Sequence, residues 1–156
     1  MRNLFLISLF FLAGCGFSPL YQNMPEGNVP VEVSPIPDRY GYTMRQIIQN
    51  KLGHSTDTQY ILSVSAPVFS SWDQSIDDKN FATMMAINGT VSYTLTQKKT
   101  HKNILSTSTS LSGSYAVVKD PYATTIAERK VKKDLAEQLA EQVSLHVLGT
   151  LAGVRD

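Results

Sequence analysis

The sequence predicts an α+β fold, a two-layer sandwich in which a mostly antiparallel sheet of about four strands carries two helices on one face. Segments that alternate apolar and polar residues, the pattern of half-buried strands, recur along the chain. Two other segments repeat apolar residues every three or four positions, as a helix packed on a sheet does. The chain has 156 residues, which is enough for one domain with its own core.

The first strand and the first helix are predicted between residues 29 and 53. Val29 to Ile36 alternates, and Pro30, which lacks a backbone donor, indicates an edge strand or a strand start. Asp38 is a residue type that caps helix starts, and Gly53 is a suitable C-terminal cap. The apolar face between them consists of Met44, Ile47, Ile48 and Leu52. A glycine weakens the first turn, so we expect the helix to begin near Tyr42.

The middle of the chain predicts the antiparallel strands. Gln59 to Phe69 alternates as a strand, and a proline near its end marks a stop or a bulge. Ser70 to Thr83 is polar and aperiodic, which is typical of a connection. Met84 to Gln97 predicts a long strand, in which Asn88-Gly89 forms either a hairpin turn or a kink; we favour the kink. Ile104 to Val118 predicts its antiparallel partner across a short charged turn.

The last element is predicted to be a long amphipathic helix packed on the sheet. Asp120-Pro121 suits a helix start, because proline is well placed in a first turn. From Ala123 to Leu151 apolar residues recur at steps of four, and alanines widen the stripe as it drifts around the helix. The charged residues lie mostly off this stripe, which is typical of a helix with one solvated face.

Composition and motifs argue against several classes of function. The chain carries 14 basic and 13 acidic residues, so no strongly basic face for a nucleic acid is expected. Its histidines, His54, His101 and His146, have no neighbours at metal-ligand spacing. No nucleophile motif or phosphate-binding loop occurs in the sequence. We therefore predict a protein without enzymatic activity, cofactor or metal.

The N-terminus predicts an exported chain. Arg2 precedes an apolar run, Leu4 to Leu12, and small residues lead to Cys15, the single cysteine. This order is that of a secretory signal, and the run is far shorter than the ~20 residues of a membrane-spanning helix. We predict a signal peptide at 1–14, a tether at 15–28 and one domain at 29–156. The alternatives are an ordinary buried cysteine and a conventional signal in which the cysteine occurs by chance.

The stretch Leu12-Ala13-Gly14-Cys15 resembles the lipobox of bacterial lipoproteins, in which the cysteine receives S-diacylglycerol and an N-acyl group. Two or more acyl chains anchor a protein stably, whereas one does not. In such lipoproteins an aspartate directly after the cysteine resembles an inner-membrane sorting signal. Gly16 occupies that position here, so the resemblance implies an outer-membrane lipoprotein. The opening Cys15-Gly16-Phe17-Ser18-Pro19-Leu20-Tyr21 further resembles the LPS-assembly lipoprotein family, LptE. Weaker similarity extends over essentially the whole chain.

The LptE resemblance implies a lipid-anchored subunit on the periplasmic side of the outer membrane. Such a subunit partners the LptD β-barrel, assists its assembly and supports lipopolysaccharide transport to the outer leaflet. If the protein contacts lipopolysaccharide directly, the candidate residues are cations that can bind its phosphates: Arg129, Lys130, Lys132 and Lys133. The competing interpretation, a solvated helix face with nearby acids, is the one we favour. The alternative function is a structural envelope lipoprotein that binds another periplasmic partner or peptidoglycan.

Overall fold

The computed structural model describes residues 29–76 and 82–154, which form two helices on one face of a mixed sheet. The strands are β1 (Val31–Val33), β2 (Tyr60–Val64), β3 (Val68–Ile76), β4 (Ala82–Gln97) and β5 (Asn103–Ala116). The helices are α1 (Arg39–Leu52) and α2 (Pro121–Val154). β1 pairs with β2 in parallel and every other pairing is antiparallel. The predicted two-layer α+β fold is confirmed.

Strand β4 organises the sheet because it pairs along both of its sides. On one side β2 pairs with its C-terminal half and β3 with its N-terminal half, so β2 and β3 lie end to end. On the other side β5 runs along nearly its whole length. The predicted connection at 70–83 is therefore wrong at 82–83, which begin β4, and over 70–76, which belong to β3. These residues have no apolar alternation of their own; their strand conformation comes from pairing with β4.

Gly89 lies within the continuous strand β4, opposite Phe69 on one side and Leu111 on the other. The hairpin-turn alternative at Asn88-Gly89 is therefore excluded, as expected. A Cβ atom at Gly89 would lie 3.1 Å from Phe69 Cε1 and 3.3 Å from Leu139 Cδ1. A side chain here would therefore require Phe69 or Leu139 to shift by a few tenths of an ångström, because β3 and α2 approach the backbone of β4 closely.

Helix α1 begins at Arg39, three residues before the expected start near Tyr42. At the N-terminus, the Asp38 side chain accepts a hydrogen bond from the Arg39 amide. At the C-terminus, Gly53, with φ 79°, donates its N–H to the Gln49 carbonyl. Both predicted caps are therefore confirmed. The glycine in the first turn has a packing reason, since a Cβ at Gly41 would lie 2.7 Å from Ile36 Cγ2.

Helix α2 has Pro121 as its first residue, and the Asp120 carboxylate accepts from the Tyr122 amide. Its 34 residues span about 51 Å, which is longer than the core beneath it. Only the C-terminal part is fully buried, through residues at helical spacing: Leu135, Ala136, Leu139, Ala140, Val143, Val147 and Leu151. The N-terminal part lies over β5, where Val131 faces Gly113.

The core lies between the sheet and the two helices. α1 contributes Met44, Ile48 and Leu52, all fully buried. The strands contribute one alternating set of residues: Val31, Val33, Leu62, Val64, Ile87, Val91, Tyr93 and Leu95. The other set points to the opposite side of the sheet, which no described helix or strand covers. We call that side the open face.

Candidate functional surface

The two longest strands carry no charged side chain. Neither β4 nor β5 contains an aspartate, glutamate, lysine or arginine. The described charges lie on the helices, in the turn that joins β4 to β5, and at a few positions elsewhere. The centre of the open face is therefore polar but uncharged.

Hydroxyl groups cover the centre of the open face in rows that cross the strands. Ser92 lies opposite Ser108, and Thr94 lies opposite Ser106, with their hydroxyl oxygens 3.3 Å apart. A second row joins Asn88 to Ser112, whose hydroxyl donates to the Asn88 side-chain carbonyl at 3.3 Å. Such pairs satisfy one another while leaving hydrogen-bonding capacity for a partner. The surface can therefore meet another polar surface without burying a charge.

One end of the open face is apolar. Trp72 of β3 lies opposite Ala86 of β4; the tryptophan is 49% exposed, whereas the alanine is buried. Beside them lies a shallow cavity of about 270 Å³, lined by Trp72, Gln74, Ala86 and residues 112–114. Sequence reasoning missed this group because Trp72 was placed in the predicted connection. The pairing of β3 with β4 is what brings the indole onto the sheet.

A second cavity opens at the outer edge of the sheet, between β5 and α2. It has a volume of about 160 Å³ and is lined by residues 112–114 of β5 together with Val131, Asp134, Leu135 and Gln138 of α2. We call this cavity the edge notch. Gly113 allows α2 to approach the strand here, since a Cβ at this position would lie 3.0 Å from Val131 Cγ1. No pattern in the sequence indicated it.

The predicted cluster of cations lies on the N-terminal half of α2 and is largely neutralised there. Lys130 pairs with Asp134 at 2.6 Å, Lys132 with Glu128 at 2.5 Å and Lys133 with Glu137 at 2.7 Å. Each pair is spaced four residues apart, so its partners are neighbours on the helix surface. No ion pair of Arg129, which is exposed, occurs within the described residues. A phosphate ligand would therefore compete with internal carboxylates for three of the four cations.

The histidines are dispersed, as predicted. His54 follows α1, His101 follows the turn after β4, and His146 lies on α2. The His146 Nδ1 atom lies 2.6 Å from the Tyr93 hydroxyl, and burial raises the pKa of that tyrosine. Within residues 29–76 and 82–154, no group of three histidine, cysteine, aspartate or glutamate side chains is placed to hold a metal ion.

The predicted lipid-attachment residue, Cys15, lies outside the described residues, as do the predicted signal peptide and tether. Lipidation at Cys15 therefore stays a prediction. In the part of the chain that the structure describes, no helix is both long enough and apolar enough to cross a membrane.

Several solved lipoproteins share this fold. Rare lipoprotein B from Shewanella oneidensis superposes with a TM-score of 0.68 at 9% sequence identity, covering 81% of this chain and 98% of its own. Lipoprotein B from Nitrosomonas europaea gives 0.63 at 12% identity, covering 78% and 83%. A chain from Caulobacter crescentus assigned as a lipoprotein gives 0.58 at 20% identity, covering 80% and 92%.

No model of a known protein family matches the sequence, and no protein of curated function is similar to it. The structural similarity therefore shows that the chain shares the fold of these solved lipoproteins. At these low identities it shows the fold alone.

Proposed function

We propose that this protein is an outer-membrane lipoprotein, anchored through acyl groups on Cys15 on the periplasmic side, that partners an LptD-like β-barrel. It assists assembly of the barrel and the transport of lipopolysaccharide to the outer leaflet. The lipobox-like sequence and the fold shared with solved lipoproteins support an anchored envelope protein. The LptE-like opening from Cys15 to Tyr21 supports the barrel as its partner.

The observation that carries the proposal is the uncharged open face. The interior of a membrane barrel is polar, and a domain seated against that wall loses water from the surface it presents. Burying an unpaired charge costs several kcal/mol, whereas hydroxyl groups can exchange water for hydrogen bonds with the wall. Strands β4 and β5 contain 16 and 14 residues, and the alternate residues that they place on the open face include no charge.

The experiment is purification of the full mature chain from its own outer membrane in mild detergent, with mass spectrometry of the co-purified proteins and of the N-terminal peptide. We expect a β-barrel partner and an acylated Cys15. A peptide that begins at another residue, or purification with peptidoglycan-bound proteins and no barrel, contradicts the proposal.

The open face is tested by placing carboxylates at its centre. The Ser92→Asp and Ser108→Asp double variant puts two charges on opposed, exposed positions. We expect it to fold and to lose most of the co-purified barrel, because each buried carboxylate costs several kcal/mol. The control is Asn50→Asp, which adds a carboxylate to the exposed side of α1. Full retention of the barrel by the double variant would show that another surface faces the wall.

A further inference from the structure

The outer edge of β5 is long and pairs with no other strand among the described residues. Among these residues β5 pairs only with β4. Along its 14 residues, the N–H and C=O groups of every second residue therefore point away from the sheet and pair with no other strand. Natural proteins protect such edges with charged residues, prolines, bulges or short strands, because an open edge accepts another strand. β5 contains neither a charge nor a proline, and the one register shift in its pairing with β4 lies next to Asn103, at the opposite end from residues 112–114.

The other edges of the same sheet do carry these protections. β1 has only three residues and follows Pro30. β3 contains Asp73 and shifts its register twice after it, between Asp73 and Ser75 and between Ser75 and Ile76. From Leu105 to Ala116, β5 therefore carries none of these protections.

The edge notch supplies a side-chain site beside this open backbone. It lies at Gly113, on the side of the sheet that faces α2, and Val131 and Leu135 form its apolar wall. A volume of about 160 Å³ accommodates one aliphatic side chain. Peptides that add to a sheet edge gain affinity from the backbone and selectivity from pockets for alternate side chains. Both parts are present at residues 112–114.

The position of α2 decides what kind of strand fits. Neighbouring strands lie about 4.8 Å apart, whereas packed helices need about 8–10 Å between their axes. Val131 of α2 lies 3.0 Å from the Cβ position of Gly113, so the helix runs directly over β5 there. A second copy whose β5 paired antiparallel at this point would place its own α2 on the same face of the sheet and too close to this one. A segment without a covering helix has no such conflict.

We propose that the outer edge of β5 around Ser112–Ser114 binds an extended, uncharged segment of a protein partner as an added strand. One apolar side chain of that segment fills the edge notch between Val131 and Leu135. Its alternate side chains are small and polar, continuing the hydroxyl rows of the open face. This proposal is independent of whether the partner is a β-barrel.

The experiment follows backbone amides and side-chain methyl groups of the full mature chain, labelled with ¹⁵N and ¹³C, in detergent micelles. The probe is a short acetylated and amidated peptide that alternates threonine with leucine and carries a lysine at each end. We expect slower hydrogen exchange at alternate amides of β5 and shifted methyl signals from Val131 and Leu135. The Gln138→Phe variant, which fills the notch from an exposed helix position, should weaken binding about tenfold or more. Gln46→Phe makes the same change on the exposed side of α1 and should leave binding unchanged.

Three results would overturn the proposal. The first is unaltered exchange in β5 at saturating peptide. The second is a response confined to the neighbourhood of Trp72, which would place the peptide on the open face. The third is protection of the outer β5 amides before peptide is added, which would mean that a second copy or the chain's own N-terminal segment already occupies the edge.

Discussion

Replacing Gly89 by valine tests how closely α2 and β3 approach the centre of β4. The added Cβ would lie 3.1 Å from Phe69 Cε1 and 3.3 Å from Leu139 Cδ1, closer than ordinary contact. Phe69 has little freedom to move away, because Tyr40 packs on its ring at 5.3 Å in an edge-to-face arrangement. Leu139 is fully buried and belongs to a long helix. The two further methyl groups of valine therefore enter space that is already filled.

The expected cost follows from two opposing effects. Overpacking a well-packed core costs about 1–3 kcal/mol, and valine in place of a strand glycine recovers about 0.5–1 kcal/mol of backbone entropy. We expect a net loss of about 1 kcal/mol in the free energy of unfolding. For a domain of this size that lowers the melting temperature by about 2–4 °C.

The assay is thermal and urea unfolding of the full mature chain, followed by circular dichroism. The matched control is Gly149→Ala on α2, where a new Cβ meets nothing within 4 Å, and which should stabilise the protein by about 1 kcal/mol. If Gly89→Val proved as stable as the parent, the close packing of α2 against β4 would be refuted.

Three further predictions concern the core, a surface ion pair and the cations of α2. Leu139→Ala removes a fully buried side chain and should cost about 3–4 kcal/mol in urea unfolding; a loss below about 1 kcal/mol would contradict the packing described. Lys98 lies 2.6 Å from Glu32 and, by hydrogen bonding and then by charge attraction, holds the pKa of that carboxyl below its usual 4.5. Because the pKa of Glu32 is lowered in the folded state, the ion pair stabilises the protein above pH 4.5 and loses its effect as the pH falls. The difference in melting temperature between the parent and Lys98→Met should therefore shrink from pH 7 to pH 3. A difference that stays constant with pH would contradict this assignment. Charge reversal at Lys132 and Lys133 should weaken lipopolysaccharide binding by the mature chain, and Lys51→Glu on α1 is the control. Unchanged binding would contradict the prediction and would mean that these lysines serve only in the ion pairs with Glu128 and Glu137.

The local sequence was sufficient to predict most of the elements. Both caps of α1 were predicted from Asp38 and Gly53, and the buried stripe of α2 from its apolar spacing. These features depend on contacts within a few residues, which a single segment contains. The lipobox-like stretch likewise predicts the anchor at Cys15 from adjacent residues alone.

The candidate surface was only partly predictable. That β4 and β5 carry no charge can be read from their residues, but which hydroxyl lies opposite which depends on register. Trp72 was missed because a polar segment without periodicity gives no local sign that it will pair with β4. The early start of α1 was missed for a similar reason, since Gly41 is explained by its contact with Ile36.

By itself the sequence determined which segments are helices, where most strands lie and that the two longest strands are free of charge. Only the tertiary structure decided that residues 70–76 form a strand, that β5 is left with an open edge, and that Gly113 lies under α2 to form a notch. The physical reason is that strand pairing and close packing join residues far apart in the chain, and no short segment contains both partners.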